Sequence, residues 1–483
     1  MAWIAAMLVS LIAGWCVARA LTAGVWSSAP RWASLMVELS LAVLFGPGLA
    51  SALFFGMLVA GVRNRRGALA MLGVLLAGCV AVWWKLTPEI APDIAPAGGR
   101  KRFPWMWALW ICVAAGVLFL FLDFQVASSA NPSGEWDAMS IWNLRARYLA
   151  AGDDVWRRAV SAALGGHLGG AEHPGYPLFL SGFIGLLWNV AGSFDQSAPI
   201  VVSLMFAAAA WMLLGASVAC RKSAALGLLA WCVLLASEVF ASQTAAQYSD
   251  LLQGLAFLAA IVLLDAAAER DRTGPRILIA AGLAMGLACW IKNEGLPFMI
   301  AALAVAVWRF GKRGLPWLAL GASPGLLATV TLKLVAEGHE AILPRTLGEA
   351  LEKIGGAGRW WQAALGFGKA VFEAGNEWTH PVLLAVLLAF ALRFVPWAER
   401  RARLWLWIPV TVTAAAEYGL YLVTTADLNW HISTSVSRLV AQLWPTLLWL
   451  FFVTLRTPEE FFEAPAVAVV REEKAGRRKT AKR

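Results

Sequence analysis

The sequence predicts an all-α, polytopic helical membrane protein: a bundle of about 13 transmembrane helices with further helices lying outside the membrane. Two observations carry this. Hydrophobic residues fill 60% of the 483 positions and charged residues only 14%, with mean hydropathy +0.66, whereas a soluble domain carries about a quarter charged residues. Apolar runs approaching the roughly twenty residues that a helical crossing needs recur along the whole chain. The short alternating segments of a membrane β-barrel are absent.

In order, the candidate spans are 3–24, 33–61, 67–84, 104–123, 199–219, 224–241, 250–268, 276–291, 296–311, 315–335, 381–396, 403–424 and 439–456. The first resembles a secretory leader but lacks a basic start, so it counts as a span. The second is interrupted by Gly46-Pro47-Gly48, which predicts a break or kink. A Pro/Gly-rich linker follows the third and ends in Arg100-Lys101-Arg102. These features divide the chain into an N-terminal transmembrane extension with its linker (1–103), a transmembrane domain (104–456) and a basic tail (457–483). The stretch 177–191 is apolar but about fifteen residues long, too short to cross, and reads as a juxtamembrane or re-entrant helix.

Charge placement sets the expected orientation. Half of the net charge of +10 sits in 471–483, where seven Lys/Arg stand against two Glu. Beside a membrane span such a tail is read as cytoplasmic, and nucleic-acid binding is the weaker reading. Counting back from it places basic clusters at 221–222, 270–276, 312–313 and 400–403 inside, and 124–198, 242–249, 292–295, 336–380 and 425–438 outside. The expected location is therefore the inner (plasma) membrane, multi-pass, with the polar loops on the periplasmic or external side. The same count puts Arg63, Arg65 and Arg66 outside, against the positive-inside rule, and leaves the side of the N-terminus open. All six cysteines lie in apolar runs without metal-ligand spacing and read as small packing residues. All five histidines lie in stretches placed in loops.

The external segments hold the polar chemistry. In the first, Glu135-Trp136-Asp137 precedes a helical pattern in which Ala138, Ile141, Trp142, Arg145, Tyr148 and Leu149 share a face. That face is expected to lie on the membrane interface with Arg145 snorkelling. Asp137 is either the N-cap of this helix or a catalytic base, and the local pattern leaves both open. Glu172-His173-Pro174-Gly175-Tyr176-Pro177 reads as a rigid turn or a substrate contact, with metal binding the weaker reading of its Glu-His pair. Gln247-Tyr248-Ser249-Asp250 and Lys292-Asn293-Glu294-Gly295 are polar hairpins, and 427–438 adds Trp430, His431 and Arg438. Lys292 and Arg438 suit a phosphate as charge-assisted donors. Glu38 and Glu417 fall inside spans, where unpaired carboxylates are costly, and are expected to make helix–helix hydrogen bonds. The segment 336–380 has an amphipathic middle (Trp360, Trp361, Ala364, Phe367, Val371) suited to the interface.

Between about 104 and 456 the chain resembles the bacterial GT-C glycosyltransferases, the superfamily of protein O-mannosyltransferases and the lipid A aminoarabinose transferase. The carriers, in order, are GEWDAMSIWNLRARYL, EHPGYPLFL, QYSDLLQGLAFL, GLACWIKNEGLPF and DLNWHISTSVSRLVAQLWP. The resemblance implies an essential external carboxylate at Asp137, a second acidic position at Asp250 and a polyprenyl-phosphate sugar donor. Where the family places adjacent acids in the first loop, this chain has Glu135 and Asp137 separated by Trp136.

The expected activity is inverting transfer of a sugar from that donor to a hydroxyl of a glycan, lipid or protein acceptor. Asp137 would be the base, Asp250 its acidic partner, and Lys292 and Arg438 the counter-charges for the leaving phosphate. Glu135, Glu172, His173, Tyr176, Gln247, Tyr248, Asn293, Glu294, Trp430 and His431 would contact substrate, and Asp250 and Glu172 are candidates to share a divalent cation. A ligase or polymerase of lipid-linked oligosaccharides is the nearest rival. A polyprenyl-lipid transporter would predict repeated halves with broken helices at the midplane, and only the 46–48 interruption fits that pattern.

Overall fold

The computed structural model describes residues 2–86, 104–161, 173–269, 275–337, 343–375 and 380–462. It is an all-α polytopic membrane protein, and among the described residues β-pairing is confined to two isolated bridges. Near the N-terminus, α1 (Ala2–Thr22), α2 (Arg31–Val59) and α3 (Arg65–Leu86) pack together, and α4 (Met106–Ala130) follows. α2 runs through Gly46-Pro47-Gly48 as one helix. The glycines there serve contact: a Cβ on Gly46 would meet the Ser10 carbonyl of α1, and one on Gly48 would meet Leu287 and Phe179 at 2.8 Å.

A π-helical turn at Ala138–Trp142 leads into α5 (Asn143–Ala151), and α6 (Phe179–Ala191) lies beside it. Ser181 Oγ donates to the Trp142 carbonyl at 2.9 Å, Asn189 Nδ2 donates to the Ala150 carbonyl at 2.9 Å, and Gly185 sits between them against Ala146. The two helices therefore run in the same direction. α6 has thirteen residues, ends at Gly192 in the left-handed region (φ 73°), and is followed at once by α7 (Ser197–Arg221). This is the short helix expected for 177–191. The apolar face predicted around Ile141 and Trp142 exists, but it does not lie on the interface. Ile141, Trp142, Arg145 and Leu149 are buried, and Arg145 donates to the Ala159 (2.7 Å) and Pro174 (3.1 Å) carbonyls rather than snorkelling.

The rest of the bundle follows as α8 (Ala224–Leu235), α9 (Glu238–Ala246), α10 (Asp250–Ala268), α11 (Pro275–Ile291), α12 (Gly295–Phe310) and α13 (Leu315–Val335). The span read as 224–241 is two helices bent by 69°. Ser237 fills the bend and donates through Oγ to the Ala374 carbonyl at 3.1 Å. α11 and α13 approach through Gly282 and Gly286 against Gly321 and Gly325, and a Cβ on Gly325 would meet the Gly286 carbonyl. Small residues four apart allow this backbone contact in a membrane, where apolar side chains gain little from leaving lipid.

Beyond α13, α14 (Leu347–Gly355) and α15 (Ala357–Phe372) form the helical middle expected for 336–380, with Leu347, Trp361, Leu365 and Phe372 exposed. α16 (Pro381–Leu392), α17 (Trp397–Arg401), α18 (Trp407–Val423), α19 (Leu428–Phe452) and α20 (Pro458–Phe462) complete the chain. The stretch 428–438 is therefore not the external loop expected from its polarity. It forms the first turns of α19, started by Asp427, whose side chain accepts from the Trp430 N–H at 2.9 Å. His431 moves from loop to helix with it.

By length and composition eight described helices qualify as membrane spans, or nine if α8 and α9 count as one. Four of the expected thirteen do not qualify: α11, α12 and α16 are shorter apolar helices of ten to seventeen residues, and α19, which carries the span expected at 439–456, is not among those that pass. The polar connections meet at one end of the bundle. Trp3 Nε1 donates to Asp195 at 2.9 Å, Arg63 pairs with Asp154 at 2.6 Å, and the Glu337 N–H donates to the Val160 carbonyl at 2.9 Å. The turn holding Arg63 thus lies at the same end as the first polar loop, as the span count required. At the opposite end Asp265 of α10 takes Arg221 of α7 (3.1 Å) and Arg403 (3.0 Å), and Glu269 pairs with the same two arginines. The basic tail from 463 onward lies outside the described residues.

The α11–α13 contact yields a test. Gly325→Val should force these backbones apart, lower the thermal midpoint of the purified protein in detergent and cost about 1–3 kcal/mol. A midpoint equal to wild type would mean that the close approach contributes nothing to the packing.

Candidate active site

Four sequence-distant segments bring charge together at the polar-loop end. The loop 131–137 is fastened first. Gly134 has φ 78°, and a Cβ there would meet Ala138 at 2.6 Å and the Ala246 carbonyl at 2.8 Å, so the chain passes this point only as glycine. The Glu135 N–H donates to the Ala246 carbonyl at 3.2 Å. Gln247, itself left-handed (φ 60°), accepts from Asn143 Nδ2 at 2.9 Å and donates to the Pro132 carbonyl at 3.1 Å. Gln247 is buried, and both ends of its amide hold the loop. Its position fastens the loop.

Asp137 follows. Its side chain makes no capping bond, and the π-helical turn after it proceeds without one. Its Oδ2 instead accepts from Arg438 Nη1 of α19 at 2.6 Å, across 301 positions of sequence. Of the two roles left open for Asp137, capping is thereby excluded. The same guanidinium donates through Nε and Nη2 to Asp250 Oδ2, each at 3.3 Å. Asp250 Oδ1 accepts from Lys292 Nζ at 2.9 Å and from Gln442 Nε2 at 2.7 Å. Lys292 also reaches Glu294 at 3.1 Å. The Arg438 guanidinium lies 4.3 Å from the Tyr248 ring centroid, and the Tyr248 hydroxyl accepts from the Asp137 N–H at 3.3 Å.

Exposure separates the two carboxylates. The Asp137 side chain is 24% exposed and that of Asp250 is 0%. Asp137 is therefore reachable by a ligand as it stands, while Asp250 is walled in by its cations and by Gln442. Burial pushes the Tyr248 phenol up to about 12, so it stays protonated at neutral pH. Burial alone would favour the neutral amine at Lys292, but the adjacent Asp250 and Glu294 outweigh it and hold the ammonium above its ordinary range.

The remaining candidates form a ring of uneven relevance. His173 stacks on Tyr176 at 4.4 Å, and Tyr176 on Trp142 at 6.1 Å. Asn293 accepts from Lys333 at 2.9 Å, and Lys333 also donates to the Gly175 carbonyl at 2.6 Å, tying the 173–176 turn to the Lys292 hairpin. Glu135 is exposed and accepts from Asn131 at 3.2 Å. Trp430 is exposed, whereas His431 is buried and stacks on Tyr421 at 4.6 Å. Glu172, like His167 and His339, lies outside the described residues. Gln442 is not among the residues expected at the site; it stands one helical turn after Arg438 inside an apolar run, and that spacing is the signal that points to it.

Among the described residues no group of three metal-ligating side chains converges, and the oxygens of Asp250 are already taken by cations and an amide. Of the two acids inside spans, Glu38 makes the expected interhelical bond, to Arg19 at 2.6 Å, and Glu417 has no such partner among the described residues.

Removing one member of a buried ion network leaves the others uncompensated. Asp250→Asn should therefore destabilise the protein by roughly 3–5 kcal/mol, read as a lower thermal midpoint. Adding Lys292→Met to that variant should recover part of the loss. Independent, additive losses would show that the two residues are not coupled.

No family model, no curated protein and no solved structure matches this chain.

Proposed function

We propose that this chain is a membrane glycosyltransferase of the GT-C type. It moves one sugar from a polyprenyl-phosphate donor to an acceptor hydroxyl of a glycan, lipid or protein, with inversion. The site end would then face the periplasmic or external side of the inner membrane. One observation carries the reading: Arg438 bridges an accessible carboxylate, Asp137, and a buried one, Asp250, with Lys292 on the far side of Asp250. A part-exposed acid held by one cation, with a second cation behind it, suits a displacement at a phosphate-linked carbon.

In that reaction the acceptor oxygen attacks the anomeric carbon and forms the new glycosidic bond. The bond from that carbon to the phosphate oxygen breaks, and its electron pair leaves with the lipid phosphate. The acceptor's proton passes to Asp137, for which Oδ1 is the oxygen that Arg438 does not occupy. Arg438 presents a planar fork suited to phosphate oxygens, and Lys292 adds a compact positive charge. Asp250 positions both cations and does not itself meet substrate. Preorganised cations of this kind lower a barrier because they need no rearrangement when charge develops.

Asp137→Asn in isolated membranes supplied with radiolabelled polyprenyl-phosphate sugars should reduce transfer by about 100-fold to 10,000-fold at normal expression. Normal turnover would overturn the assignment of Asp137 as the base. Efflux of the lipid-linked sugar from vesicles without transfer would favour a transporter.

A further inference from the structure

Glu417 sits near the middle of α18 with 3% of its surface exposed. Among the described residues neither of its carboxylate oxygens has a hydrogen-bond partner. Tyr421, one turn along α18 from Glu417, bonds Ser435 at 2.6 Å, which lies about one turn before Arg438 on α19, so this part of α18 stands beside the site. α18 packs against α12, which begins next to Glu294, and against α19, which carries Arg438. Tyr421 also closes the same region by stacking on His431.

Stability alone does not account for this residue. A buried carboxylate without donors is a net liability, and natural proteins keep such groups where a ligand completes them. Glu417 is thus a buried polar group without a hydrogen-bond partner among the described residues, next to a site whose other acids are paired. A ligand that fits it brings hydrogen-bond donors.

We propose that Glu417 lines the inner wall of a sugar subsite and accepts hydrogen bonds from hydroxyl groups of the sugar being transferred. This rests on the glycosyl-transfer reading above. It divides the labour of the site: Arg438 and Lys292 take the phosphate, Asp137 takes the acceptor proton, and Glu417 selects the sugar. A hydroxyl that pairs with a buried carboxylate discriminates strongly, because an analogue lacking it leaves the carboxylate unpaired.

The test compares two probes on the full chain in detergent: decyl phosphate, and decyl phosphate carrying one hexose, taken in turn from a small panel. Wild type should bind at least one sugar-bearing probe more tightly than decyl phosphate. Glu417→Leu should keep decyl-phosphate binding, lose roughly tenfold or more of the sugar-dependent gain, and show a thermal midpoint equal to or above wild type. Glu417→Gln, which keeps one acceptor, should retain part of that gain. If Glu417→Leu keeps the full sugar-dependent gain, or lowers the midpoint while doing so, Glu417 is a packing residue and the proposal falls while the glycosyl-transfer reading stands. If wild type binds neither probe, the underlying reading falls and this one with it.

Discussion

Everything at the polar-loop end depends on one guanidinium. Arg438 touches Asp137 at 2.6 Å, Asp250 at 3.3 Å and the face of Tyr248 at 4.3 Å, so a single side chain of α19 joins the first polar loop to the start of α10. Taking charges out of water costs several kcal/mol per ion even after relaxation, and the cost is offset only where partners and hydrogen bonds are complete. Asp250 meets that condition with Lys292, Gln442 and Arg438 around one carboxylate. The loop bearing Asp137 is then held in register by Gly134, Gln247 and Asn143, none of which needs to meet a ligand.

The two ends of the bundle use buried charge differently. The cluster of Asp265, Glu269, Arg221 and Arg403 is balanced and ties α7 and α10 to the segment before α18, as a clamp would. At the site end the outer carboxylate is part-exposed, and Glu417 stands nearby without a hydrogen-bond partner among the described residues. A fold that only needed to hold helices together would gain from replacing such groups with apolar ones, because a well-packed hydrophobic substitute for buried charge is often neutral or stabilising. Retaining them is consistent with a site that binds and reacts.

Much of the fold was legible in the sequence because bilayer crossing imposes a length and a composition that no other constraint overrides. The short helix at 179–191, the helical middle of 347–372 and the position of Arg63 beside the first loop all followed from counting. Local polarity does not distinguish a loop from the exposed first turns of a helix. The stretch from Asn429 to Arg438 is polar because Asn429, Ser433, Thr434 and Ser437 are exposed and Arg438 reaches the site acids, and it is helical because Asp427 caps it and α19 continues through it. Arg145 was read as snorkelling because a charged residue on an apolar helix face ordinarily finds water. Here the carbonyls of Ala159 and Pro174 satisfy it inside the protein.

The sequence by itself determined that this is a helical membrane protein and which polar residues would gather at one end of it, because hydropathy and charge bias are additive properties of short windows. It also marked Asp137, Asp250, Lys292 and Arg438 as the residues to watch. Only the tertiary structure decided that these four touch, that Gln442 joins them, that Gln247 fastens the loop and that Glu417 is left without a donor among the described residues. Those relations depend on which helix faces pack across separations of about forty to three hundred positions. A residue's neighbours along the chain do not determine that choice.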